Sequence, residues 1–464
     1  MSITKHLLAV ALGACLSATA SAQDSLIDVY NRALEKDPAI REAEATYLSQ
    51  AEVKPQARAA LLPGLSLTAR KSNLHSDSPG GTDIGGGISV GSRTISDNDQ
   101  QNWQIGLTQT LFNWSNYATL RSADKRVARA ETDYEAAKQS LMIRVSQRYF
   151  DVLAAEDNLA SAAAQREAVS RQLEQANRRF EVGLIAITDV QQSRAGYDDA
   201  VAVEIEAQRG VASAHESLRE IIGEVIMDLA APTDDAPLLS PDPPNPEQWV
   251  QTALQQNLAL VSSRLAAEVA EEDIDVARGS RLPTLSLTAG YSNAKNNSVT
   301  EIFIDDPILG RTNTVRSIPT EPEGRNWSLD LRFPIYTGGL NHSRIQQSVY
   351  NHRLASETLE RISRQTERQT RDAYLGVISN VARVRALRQA VESNRTALRA
   401  TEAGFEVGTQ TTVDVLQAQQ LLRRAETSYS QSRYQYILNV LLLKQAAGTL
   451  SVSDLEEVDG WLQQ

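Results

Sequence analysis

Phe180-Glu181-Val182-Gly183 and Phe405-Glu406-Val407-Gly408 are one phrase written twice in this chain. The copies continue as Ile187-Thr188-Asp189-Val190-Gln191-Gln192 and Thr412-Val413-Asp414-Val415-Leu416-Gln417. Glycine takes the left-handed conformation that stops a helix, so each phrase reads as the tip of a helical hairpin. The surroundings permit long helices, because all 15 prolines lie at or before Pro334 and none falls between residues 80 and 231. Apolar residues there recur every seventh position: Val377, Val384, Val391, Leu398 and Phe405, then Val415, Leu422, Tyr429, Tyr436 and Leu443. The first zone follows less cleanly through Leu141, Val145, Tyr149, Val152 and Leu159, then Val190, Tyr197, Val211 and Leu218. Sustained heptads imply coiled-coil packing, with hairpins over residues 115–224 (tip 180–189) and 340–447 (tip 405–414). A helix from Tyr117 to Val182 would be roughly 100 Å long, so such rods must shield one another.

The echo continues outward from the tips. Leu61-Leu62-Pro63-Gly64-Leu65-Ser66-Leu67-Thr68-Ala69 matches Arg281-Leu282-Pro283-Thr284-Leu285-Ser286-Leu287-Thr288-Ala289, and Trp103-Gln104-Ile105-Gly106-Leu107 matches Trp327-Ser328-Leu329-Asp330-Leu331. The chain is therefore a tandem duplication of helix, two strands and long hairpin. The first repeat covers residues 23–231 and the second 247–447, joined by a Pro-rich linker, 232–246, and followed by a tail, 448–464. Apolar and polar residues alternate over residues 63–75, 101–114, 283–295 and 325–337, which predicts four strands. Each has about the 9 to 11 residues of a tilted membrane strand. Gly-, Ser- and Asn-rich residues 76–100 and 296–323 read as long external loops, and Trp103, Trp114, Tyr117, Trp327, Phe333 and Tyr336 as an aromatic girdle. The smallest membrane barrels use about 8 strands, and an open edge cannot face lipid. Closure requires several copies of the chain, and a shared barrel continued by shared helical rods is a channel.

Residues 1–22 read as a secretory signal peptide: Lys5, an apolar run from Leu7 to Leu16, and Ala20-Ser21-Ala22 before cleavage. The single cysteine, Cys15, lies within it, where Leu12-Gly13-Ala14-Cys15 loosely imitates a lipoprotein box. Only 41% of the chain is hydrophobic, and no later stretch has the roughly 18 apolar residues of a transmembrane helix. The net charge of −12 argues against nucleic acid as a partner. The sequence has no GxxxxGK[ST], HExxH or GxSxG, so no enzymatic activity and no cofactor are expected. His75, His215, His342 and His352 lack ligand-like spacing, and no metal site is expected.

These features together resemble the TolC family over nearly the whole mature chain. The specific signatures are the Leu-Pro before strands one and three, the run Phe180 to Gln191, the run Gly404 to Leu416, and Phe333-Pro334-Ile335-Tyr336-Thr337-Gly338-Gly339. The resemblance implies an α+β membrane protein, a homotrimer sharing a β-barrel of about 12 strands above a periplasmic helical tunnel. It implies an equatorial belt from the linker and the C-terminal tail, set in outer-membrane lipid of a Gram-negative cell. The implied role is an exit duct of a tripartite efflux pump or type I secretion system, for drugs, bile salts, toxic compounds or proteins. The implied partners are a periplasmic adaptor (membrane fusion) protein and an inner-membrane RND, ABC or MFS transporter.

The resemblance also assigns roles at the tips. Thr188 and Asp189 would face positions 405 and 410 in a closing network that untwists when partners engage. Phe405 and Gln410 stand where the family has Tyr and Arg, so a hydroxyl and a guanidinium are missing and the lock should be weaker or differently built. Asp414 matches one of two carboxylate rings of the pore constriction and Gln417 occupies the other, which implies milder cation selectivity. Val182, Gly183, Leu184, Val407, Gly408 and Thr409 match the tips where adaptors dock. Read without the family, Asp189 and Asp414 also suit ordinary helix N-termini. A trimeric coiled-coil adhesin or stalk would share these features but place its anchor once, at the C-terminus, whereas here the strand pairs occur twice.

Overall fold

A computed structural model describes residues 23–83, 89–226, 228–233, 237–306 and 310–462. The expected signal peptide, with Cys15, lies outside the described residues. The elements run α1 (Leu26–Lys36), α2 (Pro38–Ala51), α3 (Val53–Ala59), β1 (Gly64–Asp83), β2 (Ser89–Phe112), α4 (Trp114–Glu181) and α5 (Ile187–Ile222). After the linker come α6 (Pro246–Gln256), α7 (Leu258–Gly279), β3 (Thr284–Asp306), β4 (Gly310–Thr320), β5 (Glu323–Arg332), α8 (Leu340–Glu406), α9 (Thr412–Ala447) and α10 (Val452–Asp459). The duplication is metrical as well as verbal: α4 and α8 have 68 and 67 residues, and α5 and α9 have 36 each. The chain forms two units, one from described residues within Met1–Ala45, Asp133–Val261 and Ile362–Gln464, the other from Thr46–Thr132 and Ser262–Arg361.

The second unit holds one antiparallel sheet. β1 pairs with β2 and β2 with β3, while β4 and β5 both lie along β3. Asn296 faces Thr320 and Asn293 faces Glu323, so the register on β3 is unchanged across the gap and β4 and β5 form one interrupted lane. Pro322 sits in the gap and has no N–H to give a ladder, yet its carbonyl still accepts from the Ala294 N–H at 3.1 Å. The sheet thus has four lanes, with β1 at one edge and β4/β5 at the other. Directly opposed residues share a face. Leu65 faces Leu107, Leu67 faces Ile105, Leu285 faces Leu331, Leu287 faces Leu329 and Ala289 faces Trp327, which makes one apolar face. Ser66, Thr68, Gln104, Thr288, Ser328 and Asp330 lie on the other, polar face.

The strands extend beyond their alternating segments. β1 runs to Asp83 and β2 begins at Ser89; β3 runs to Asp306 with β4 against it, so most of residues 76–100 and 296–323 are paired backbone. Asn73, Asp97, Asn98 and Asp99 make both faces polar there, which erases the period-2 signal but not the ladder. Below the sheet elements of this unit, α4 and α7 meet through Arg121 with Glu272 (2.9 Å) and Asp275 (3.2 Å), and through Lys125 with Glu268 (2.5 Å). Gly279 is required where they touch, because a Cβ there would fall 2.3 Å from Ser115 Oγ.

The first unit has a large-residue core at one part of the coil. Tyr149, Phe150, Leu441, Leu455 and Ile222 are all almost fully buried. Phe150 stacks on Tyr434 at 5.6 Å, and Tyr149 meets Phe150 edge-on. The hydroxyls are used: Tyr149 donates to the Ala230 carbonyl (2.7 Å) and Tyr434 to Asp157 Oδ2 (2.7 Å). Burial pushes both hydroxyls above the usual tyrosine range, so they remain donors. The linker is tied to α9 by Arg433, which donates to the carbonyls of Pro232 (3.0 Å) and Thr233 (2.6 Å). Asp459 of α10 accepts from the Leu26 N–H at 2.8 Å and caps α1.

Candidate gate at the hairpin tips

Both tips are built by the same local device. Gly183 (φ 73°) and Gly408 (φ 81°) adopt the left-handed conformation and end α4 and α8. The Gly183 and Leu184 N–H groups return to the carbonyls of Phe180 and Arg179, and those of Gly408 and Thr409 to Phe405 and Gly404. Val182, Leu184 and Val407 then project into solvent, each about 70% exposed or more (69%, 72% and 76%).

The descending helices begin on carboxylates. Asp189 Oδ2 accepts from the Ala186 N–H at 3.3 Å. Asp414 Oδ2 accepts from the Thr411 N–H (2.8 Å) and hydroxyl (2.6 Å), and the Asp414 N–H donates to Thr411 Oγ1 at 3.3 Å. This is a complete capping box, and hydrogen bonds from the Thr411 hydroxyl and then its N–H hold the Asp414 carboxyl below the usual range. Asp414 therefore has a structural employment in addition to any pore role. Gln417 lies three residues on, exposed on the same side of α9. Thr188 is exposed in the first turn of α5.

Among the described residues no hydrogen bond or ion pair joins Thr188 or Asp189 to Phe405 or Gln410 within one chain. The Phe405 ring, half-buried, lies under the Arg179 guanidinium, 4.9 Å from its centroid. Gln410 folds back over Gly404, where an added Cβ would come within 2.7 Å of Gln410 Cγ. Heptad spacing gives no hint of Arg179, which lies off the seam. Its only signal was a cation in the last turn of the helix before the tip glycine.

Behind the tips the coil is lined by small and polar residues. Ala162, Val169, Gln172 and Ala176 of α4 are buried, as are Val190 and Ser193 of α5 and Thr412, Val415 and Gln419 of α9. Gln172 reaches the Thr412 carbonyl only at 3.5 Å, and the Oε1 atoms of Gln172 and Gln419 have no hydrogen-bond partner. A cavity of about 290 Å³ lies there, lined in part by Gln172, Glu402, Phe405 and Gln419. Such a seam is cheap to rearrange, since little apolar area is lost when its helices slide. Among the described residues no group of three acidic, histidine or cysteine side chains could hold a metal, and no helix is long and apolar enough to cross a membrane.

The family pattern described as "Outer membrane efflux protein" matches residues 29–224 and 249–449, one span in each half of the duplication. The chain is 35% identical to outer membrane protein TolC of Vibrio cholerae serotype O1, over 99% of both chains. It is 28% identical to the alkaline protease secretion protein AprF of Pseudomonas aeruginosa, over 93% of this chain and 86% of that one. Its fold is similar to the crystal structure of the Campylobacter jejuni CmeC outer membrane channel, with a TM-score of 0.69 at 17% identity, covering 95% of this chain and 90% of that one.

Proposed function

Because the chain belongs to the outer membrane efflux protein family, we propose the following reading of its work as an exit duct for efflux and type I secretion in the Gram-negative outer membrane. Three chains close the barrel. The observation that carries this is the four-lane sheet, which has one apolar face, one polar face and two unpaired edges. An unpaired edge in hydrocarbon costs several kcal/mol per unsatisfied group, roughly, so each edge seeks the other edge of a neighbour. The apolar face then meets lipid and the polar face lines water. The helical hairpins continue the conduit into the periplasm, and the exposed Val182, Leu184 and Val407 tips receive an adaptor protein that links the duct to an inner-membrane RND, ABC or MFS transporter.

The closed state relies on the Arg179–Phe405 contact in place of the missing hydroxyl and guanidinium at positions 405 and 410. A guanidinium over an aromatic face contributes about 0.5 to 2 kcal/mol, enough to bias a seam that otherwise packs small and polar residues. Asp414 carboxylates gathered around the axis attract cations. Mass determination of the purified protein tests the assembly, and planar-bilayer recording tests the conduit. A monomer in mild detergent, or a protein that never raises bilayer conductance, would sink the reading.

A further inference from the structure

In the helical unit, a cavity of about 360 Å³ between α8, α9 and the linker is lined by arginines and, among the described residues, by no carboxylate. Its walls are apolar and aromatic, with Leu238, Val384, Ile437 and Tyr429 among them. Arg385 and Arg388 reach it from α8, three residues apart and hence on the same side of the helix. Trp461 reaches it from the end of α10. Among the described residues the side chains of Arg385, Arg388 and Trp461 make no hydrogen bond or ion pair, and no carboxylate lines the cavity. Arg433, the third arginine of the lining, is committed to the linker carbonyls and lies 5.7 Å from the Tyr429 ring centroid. The walls are firm, because Tyr436 accepts from the Leu239 N–H (2.8 Å) and donates to its carbonyl (3.0 Å), and the Thr233 N–H donates to the Trp461 carbonyl.

This sign of charge is local. The whole chain carries 58 acidic against 46 basic side chains, yet among the described residues every charged group of the lining is a guanidinium. Two free guanidinium forks match the geometry of a carboxylate or sulfonate, and the flanking rings and aliphatic walls match an apolar body of ring size. The volume falls in the lower part of the range for small-ligand pockets, about 300 to 1,000 Å³. We propose that this cavity binds a small organic anion: a carboxylate or sulfonate held by Arg385 and Arg388, its aromatic or alicyclic body against Tyr429, Trp461 and Ile437. A bound molecule touches α8, α9 and the linker at once and so ties them together.

The test uses the full-length protein purified in a non-ionic detergent, with 2-naphthoate as the anion and 2-naphthylmethanol as its neutral counterpart, titrated calorimetrically. The expected result is saturable binding of the acid, weakened by added salt, no saturable binding of the alcohol, and a raised thermal midpoint in the presence of the acid. Arg385→Gln/Arg388→Gln should lose affinity by about tenfold or more, while Arg385→Lys/Arg388→Lys keeps the charge and should lose less. Helix content and oligomer size matching those of the parent establish that the Gln variant is folded; if it does not fold, the ordering of parent over the Lys variant and of acid over alcohol decides. Equal binding of acid and alcohol, or unchanged affinity in the folded Gln variant, would overturn the proposal.

Discussion

At Asp414 one carboxylate both caps α9 and stands where the resemblance expects a cation-attracting ring. Its pKa lies below the usual range because the ionised form accepts the Thr411 hydroxyl and N–H. A depressed folded value means that the cap contributes above the ordinary carboxylate pKa and is lost as pH falls through the lowered one. Cation preference in bilayer recordings should therefore persist below pH of about 3.9, the ordinary Asp value. Thr411→Ala, which removes the hydroxyl, should move that loss to higher pH. At the neighbouring contact, Arg179→Ala or Phe405→Leu should raise closed-state conductance, whereas Phe405→Tyr, which keeps the ring under the guanidinium, should not. Conductance unchanged in both Arg179→Ala and Phe405→Leu would remove the contact from the gate.

Along the helical hairpins the interior changes character. Tyr149, Phe150, Tyr434, Ile437 and Leu441 fill one stretch, and Ala162, Ala176, Ser193, Gln172 and Gln419 fill the stretch towards the tips. Leu441→Ala should cost about 2 to 5 kcal/mol by chemical denaturation, since the site is 1% exposed and cannot collapse freely. Backbone amides of residues 162–207 and 391–419 should exchange with solvent roughly tenfold faster than those of 141–153 or more. The heptads announced the coil, and Val377, Val384, Val415 and Leu443 are indeed buried, at 1%, 2%, 3% and 2% exposure. They did not announce its taper, because a seventh-position count scores Leu398 and Val384 alike although only Val384 is deeply buried. Arg179 escaped for a related reason: a cation–π contact across two helices leaves no spacing in either one.

For the whole molecule, the sheet decides where the chain can reside. Leu329→Arg on the apolar face should reduce assembly into the outer membrane, at a cost of about 2 to 4 kcal/mol near the bilayer midplane. Ser328→Arg, one residue away on the polar face, should assemble normally, as measured by the heat-modifiable oligomer in membrane fractions. Similar yields of the two variants would contradict the assignment of faces. The four lanes were legible because Leu285, Leu287, Trp327 and Leu329 alternate with polar neighbours. The outer parts of β1, β2, β3 and β4 were not, because backbone pairing there, as between Asn98 and Ser298, proceeds without any help from side-chain patterning.

The graded interior of the hairpins has a mechanical consequence. A rod gripped by rings and leucines at one end and by alanines and glutamines at the other behaves as a cantilever. Load applied at the free tip should bend the slack length first and fade before the clamp, so the adaptor proposed to engage Val182 and Val407 would work the entrance without loosening the anchorage. Stiffening the slack length, for instance with leucine at Ser193 and Gln419 together, should yield a duct that assembles well and transports poorly, seen as normal oligomer levels with raised drug sensitivity in the host strain.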